Sequence, residues 1–392
     1  MAVTGVGAKQ AEASDGFPGG RLASIDVLRG FDMLFIMGFA LLVHNACIAL
    51  GFGPDCLLAR QMVHPKWIGL THHDTIFPLF LFIAGLTFPF SMSRQITCGR
   101  SKPQIALRAL RRMVTLFLLG MLVEGYFAGS EFRFGSVLGR IGMAWAFAAW
   151  LFLALGVRAR IAVALAVLLG YWALNLFVPA PDNPSAGVFT PLGNIVCWVD
   201  RNVLAHIGRI RPGTEALPFD NQSLLSNSTA TVTAMLGMFT GEFVMRTKER
   251  MSGGRQVCIL FAAAAALAAA GCLIAFGCGP WSFPFSKPLW SPSFTLAVGA
   301  YSVAMFALFY WLVDVRRVWR NTVFFRVIGL NAITIYVAQP LLGLGNVNKA
   351  LFGRLAELFP EAWTPVVLSV THIAVCWGLL YFLHRKKTYL KV

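Results

Sequence analysis

Apolar runs of about 17 to 22 residues recur along the chain, at 30–50, 74–92, 113–128, 139–155, 161–178, 229–245, 257–277, 293–313, 322–340 and 363–383. Segments of that length cross a bilayer as helices, the one open-chain conformation that satisfies every backbone polar group within itself. The pattern predicts an all-α fold, a polytopic transmembrane bundle of about ten helices. Between the runs, 23 of the 33 lysines and arginines fall in the two terminal tails and near 94–112, 158–160, 246–255 and 316–326. The intervening loops hold the other 10. Basic residues gather on the cytoplasmic side of membrane proteins, so both termini are expected there, with His64 on the opposite face.

Composition supports a membrane class and narrows the partners. The chain is 57% hydrophobic and 13% charged, more apolar than one soluble core of 392 residues needs. Its net charge of +16 sits in short clusters between apolar runs rather than along one arm or face, which removes nucleic acid as a partner. Residues 1–20 are small and polar and read as a disordered cytoplasmic tail without a secretory leader; residues 21–392 form one membrane domain. The longest connection, 179–228, is expected on the His64 side as a cap or a re-entrant piece, and carries Trp198, Asp200, His206 and Asp220. Eight cysteines lie scattered without a C-x-x-C spacing, so no metal site is expected from them.

Candidate chemistry concentrates at HPKWIGLTHHDTIFPLFLFIAG, residues 64–85, where ionisable groups meet an apolar run. His64 lies in a short loop, where it is either a general base or nucleophile, or an interfacial histidine bonded to backbone. Asp74 opens the following helix, as a cap for its amides or as the carboxylate that orients a histidine. His72 and His73 point apart on any regular element, so at most one shares a cavity with His64. Their spacing fits no zinc pattern. Asn45, an amide within apolar sequence, is either a link between helices or a contact to substrate. Ser24, Asp26 and Arg29 stand at the start of the first helix, either as a helix cap with positive-inside anchors or as a free helix end beside arginines that receives phosphates. Arg140 interrupts the fourth run, and Glu242 and Asp314 are expected to pair with Arg246 and Arg316. No Walker or G-x-G-x-x-G loop is present, which leaves nucleotide hydrolysis and hydride transfer without support.

RLASIDVLRGF at 21–31, the long string at 64–85, VLGRIGMAW at 137–145, FDNQSLLSN at 219–227, KPLWSPSF at 287–294 and GLNAITIYV at 329–337 occur in this order. Together they resemble the heparan-alpha-glucosaminide N-acetyltransferase family and its bacterial transmembrane relatives. Gly139, Trp145, Gln222 and Ser223 replace the family's usual Gln, Tyr, Glu and Gly.

The resemblance implies acetyl transfer across a membrane, from cytosolic acetyl-CoA as cosubstrate to the amino group of a glucosamine-type sugar or glycan on the other face. It implies His64 as the catalytic residue, with Asp74 and Asn45 beside it. Ser24, Asp26, Arg29 and Arg140 are expected to bind the cosubstrate, and no metal is implied. The expected setting is a bacterial inner membrane, with His64 periplasmic. Partners are then the lipid bilayer and the sugar acceptor, with room for a homodimer. Two other readings stand beside this one: an amino-sugar or oligosaccharide transporter that uses His64 and Asp74 as a proton-coupled pair, and an idle scaffold descended from acyltransferases.

Overall fold

The computed structural model describes residues 22–125, 135–204 and 222–389; nine of the ten apolar runs lie within them on helices, and the run 113–128 does so as far as Val123. The tail at 1–20 and the residues His206, Arg209, Arg211 and Asp220 lie outside the described residues. In chain order the helices are α1 (Ala23–Ala49), α2 (His72–Thr97), α3 (Lys102–Val123), α4 (Val137–Ala154), α5 (Val157–Phe177) and α6 (Asn227–Thr247). Then follow α7 (Gly253–Gly277), α8 (Pro292–Val315), α9 (Val323–Leu330), α10 (Ala332–Leu341), α11 (Leu344–Ala356) and α12 (Thr364–Arg385).

Among the described residues seven helices are long and apolar enough to cross a membrane, or eight when α9 and α10, bent by 69°, count as one broken span. The expected ten exceeds this number because α3 and α6 are long but polar. α3 carries Arg108, Arg111 and Arg112; α6 carries five threonines and Glu242. α11, with its mixed composition, escaped the search for apolar runs. Among the described residues the connection 178–226 contains only short helical turns, one of them Ile195–Val199.

Close backbone approach at glycines sets the central packing. A Cβ on Gly237 would lie 2.1 Å from the Phe82 carbonyl oxygen, and one on Gly85 would lie 2.1 Å from that of Ala234, so α2 and α6 cross nearly backbone to backbone. α1 and α9 do the same through Gly30 and Gly329. The Phe-rich α2 is thereby buried along most of its length, with Pro78 and Pro89 inside it. The apolar side chains of α3, α5, α7 and α12 that face outward, among them Leu118, Leu165, Phe261 and Val370, form the surface that lipid would cover.

Charged groups at the basic end are paired, in part otherwise than the spacing predicts. Glu242 bonds Arg246 at 2.5 Å as expected, and also the buried Arg160 at 2.9 Å. Asp314 does not serve as a simple partner of Arg316. Its carboxylate accepts from the backbone N–H groups of Ala23 and Ser24, both at 3.1 Å, and caps α1 from another helix.

Candidate active site

Asp74 is the third residue of α2, and it is completely buried. One carboxylate oxygen, Oδ2, accepts from the backbone N–H of Thr71 at 3.2 Å, and so fixes the start of the helix. The other, Oδ1, lies 2.7 Å from His64 Nδ1. The capping and orienting readings of Asp74 are therefore both realised, one by each oxygen. With Nδ1–H donating to the carboxylate, the lone pair of His64 sits on Nε2, and the ring is half-exposed. His73 places its ring 4.4 Å from that of His64, whereas His72 turns away to Tyr301 Oη at 3.0 Å. One of the two adjacent histidines thus shares the site, as the spacing predicts.

His64 and Asp74 open onto a cavity of about 260 Å³ lined also by Lys66, His73, Arg140, Gln222, Lys287, Trp290 and Tyr336. Three segments close around it through backbone bonds. Gly69 N–H donates to the Phe285 carbonyl at 2.8 Å, and Trp67 Nε1 donates to that of Phe189 at 2.7 Å. Those bonds tie the His64 loop to the turn before α8 and to the 178–204 connection. Trp290, fully buried, adopts φ 48°, a left-handed conformation that a bulky residue holds only where its surroundings enforce it. Its indole N–H donates to Thr233 Oγ1 at 3.1 Å.

Lys287, which the sequence reading passed over except as part of a motif, lies 3.3 Å from Asp74 Oδ1. Burial holds its ammonium below the ordinary lysine range, and Asp74 works against that shift.

The other expected site residues do not assemble as one group. Arg140 joins the His64 cavity instead of the start of α1. Its guanidinium lies 4.9 Å from the centre of the Trp290 ring and donates to Ser226 Oγ and the Ser223 carbonyl. The Ser223 hydroxyl in turn donates to Asp200. Asn45 lines no part of the cavity; its amide donates to Ser369 Oγ at 3.2 Å and links α1 to α12. Ser24 and Asp26 are buried at the opposite end of the bundle, and the two amides that begin α1 are occupied by Asp314. That helix end is not open to a phosphate. Arg29 lies 3.9 Å from Asp26 and close enough to Arg112 for mutual repulsion.

A second, larger cavity of about 600 Å³ opens where α2 ends and α3 begins. Arg94, Arg100, Arg108 and Arg112 line it, together with Gln95, Phe88 and Trp145, and among the described residues no carboxylate does. Gln95 Oε1 accepts from Arg100 at 3.1 Å and from Arg108 at 3.3 Å, so the two cations are drawn together. Arg112 lies 4.2 Å from the centre of the Trp145 ring. From Asp74 to Arg94 along α2 is roughly 30 Å at 1.5 Å per residue, so the two cavities stand toward opposite ends of one helix. A narrow apolar space of about 20 Å³ lies inward of His64 and shares Ile36, Phe77, Val137 and Tyr336 with its cavity. Among the described residues no group of three or more His, Cys, Asp or Glu is arranged to hold a metal ion.

No family model matches the chain. It is similar to the heparan-alpha-glucosaminide N-acetyltransferase of Homo sapiens, with 24% identity over 425 residues that cover 95% of this chain and 60% of that protein. The mouse protein of the same name is 23% identical over 389 residues, covering 84% of this chain and 56% of its own. The chain thus spans between 56% and 60% of the length of these curated relatives. Similarity over so much of the chain supports a family-level relationship. Two of the departures from the expected motifs have local causes. Trp145 donates its indole N–H to the Ala84 carbonyl at 3.0 Å, and a Cβ at Gly139 would stand 2.8 Å from Ser136 Oγ.

Proposed function

We propose that the chain is a transmembrane acetyltransferase that moves an acetyl group from acetyl-CoA to the amino group of a glucosamine-type sugar or glycan at the His64 face. One observation carries the reading: an oriented histidine–carboxylate pair at one end of α2, and an acid-free arginine cleft at the other. The nucleotide phosphates of CoA belong in that cleft, because they cannot enter hydrocarbon cheaply and match guanidinium forks. The pantetheine arm then follows the apolar interior toward Phe77, and the thioester arrives at Nε2.

At His64 the chemistry is proton transfer coupled to acyl transfer. The acceptor nitrogen loses a proton as it bonds to the acetyl carbon; the carbon–sulfur bond breaks, and the CoA sulfur leaves with the electron pair and takes up a proton. His64 Nε2 accepts the amine's proton directly, or first carries the acetyl group and hands it on. Asp74 serves both routes by holding the Nδ1–H tautomer and balancing the imidazolium. The basic clusters support a cytoplasmic arginine cleft with His64 on the opposite face, and a bacterial inner membrane is the setting in which we read that topology.

Mass spectrometry of the purified protein after incubation with acetyl-CoA and glucosamine tests this function. Release of CoA with formation of N-acetylglucosamine is expected. Counterflow of unmodified sugar in liposomes without acetyl-CoA, and no acetylated product, would replace the reading with transport.

A further inference from the structure

Lys287 is held by a turn whose hydroxyls are satisfied within it. Ser291 Oγ accepts from the Ser286 backbone N–H at 3.2 Å and donates to the Pro284 carbonyl at 3.0 Å, and Trp290 N–H donates to the Lys287 carbonyl at 3.0 Å. That turn delivers the ammonium Nζ to 3.3 Å from His64 Nδ1 and 3.4 Å from His64 Nε2. A group almost equally far from both ring nitrogens lies along neither lone pair, so it stands over the ring. The in-plane direction of Nδ1 is already taken by Asp74 at 2.7 Å. Nε2 is the ring nitrogen that Asp74 leaves, and the positive charge of Lys287 stands beside it at 3.4 Å.

We propose that Lys287 is a catalytic residue whose ammonium stabilises the oxyanion formed during acyl transfer; the assignment rests on the acetyltransferase reading above. When a nitrogen bonds to the thioester carbon, the C=O π pair moves onto oxygen. An acetyl group at Nε2, or attacked beside it, puts that oxygen within reach of Nζ. The negative charge then collapses back, the carbon–sulfur bond breaks, and the sulfur carries the electron pair away. A fixed charge in a partly dry pocket needs no reorganisation at that moment, which makes such donors effective. Lys66 and Arg140 also line the cavity, and the Arg140 guanidinium is engaged with Ser223 and Ser226 under Trp290.

A purely structural counter-ion for Asp74 would show the same distances, and pH separates the two roles. The ionisable and charged groups that face Lys287 are Asp74, His64, His73 and Arg140. Burial makes the ammonium lose its proton at lower pH than an ordinary lysine, so a rate that depends on it falls early on the alkaline side.

The test measures kcat and KM against pH for the wild type, Lys287→Arg and Lys287→Met, with thermal unfolding and CoA binding recorded for each. Lys287→Met is expected to lose about 100-fold or more in kcat with CoA binding kept. Lys287→Arg is expected to keep part of the rate and to lose the alkaline fall, since a guanidinium does not deprotonate there. A folded Lys287→Met protein with nearly normal kcat overturns the role of Lys287 while leaving acetyl transfer intact. If the methionine variant does not fold, an alkaline fall unchanged in Lys287→Arg overturns it. A wild type that transfers no acetyl group overturns both readings.

Discussion

His64 Nδ1 and Asp74 Oδ1 stand 2.7 Å apart although one residue sits in a loop and the other inside a helical turn. The contact exists because Thr71 fixes Asp74 Oδ2 while its own hydroxyl donates to the Val63 carbonyl at 2.8 Å, folding the loop back over the helix start.

Asp74→Asn removes the charge while keeping a similar shape. The amide no longer balances an imidazolium, and it allows the ring to take the other tautomer. A loss of about 10²- to 10⁴-fold in kcat is expected, with KM for acetyl-CoA little changed. Steady-state kinetics of the purified variant measure it.

Arg108→Ala combined with Arg112→Ala acts on the other cavity. Under the proposed function these side chains hold a part of the donor that does not react, so their loss is expected to appear as uniform binding. KM for acetyl-CoA is expected to rise by about 10- to 100-fold per charge-assisted bond removed, and more steeply at low salt, while kcat changes less.

Asn45→Ala separates the expected catalytic role from the observed one. The amide joins α1 to α12 through Ser369. Turnover near the wild-type rate is expected, with a stability loss of about 0.6 kcal/mol, the usual size of a hydrogen bond between membrane helices. Thermal unfolding in detergent, run beside the kinetic assay, reads both.

How much of this was legible beforehand differs between elements for physical reasons. Hydrophobic runs record burial in lipid or core directly, so ten helices could be located from their composition. The His64–Asp74 pair was visible because both residues fall in one continuous motif. Asn45 takes the interhelical link that was one of its two readings, whereas the partners of Arg140 and Asp314 were not legible, because a linear pattern does not say which neighbouring helix a side chain meets. Arg140 reaches Ser223 and Ser226, more than eighty positions away, and Asp314 caps a helix start 291 positions earlier. The arginine cleft was counted as a positive-inside cluster. Arg108, Arg111 and Arg112 inside an otherwise apolar helix were the available signal, since helix-end anchoring does not need charge two turns in.

Gly237→Ala tests the crossing that positions α2. The added carbon would stand 2.1 Å from the Phe82 carbonyl oxygen, so the helices must part. A destabilisation of about 1–3 kcal/mol is expected, with activity falling as the Asp74 end of α2 shifts. A melting temperature equal to that of the wild type would show that the helices cross elsewhere.

Transfer measured with the two faces of the membrane separated bears most directly on His64 as the catalytic centre of a transmembrane acetyltransferase. Labelled acetyl-CoA is supplied only to the arginine-cleft face of proteoliposomes and glucosamine only to the His64 face, for the wild type and His64→Ala. Labelled N-acetylglucosamine is expected on the His64 face with the wild type, and at least about 100-fold less of it with His64→Ala. Undiminished transfer in a folded His64→Ala protein would contradict the account.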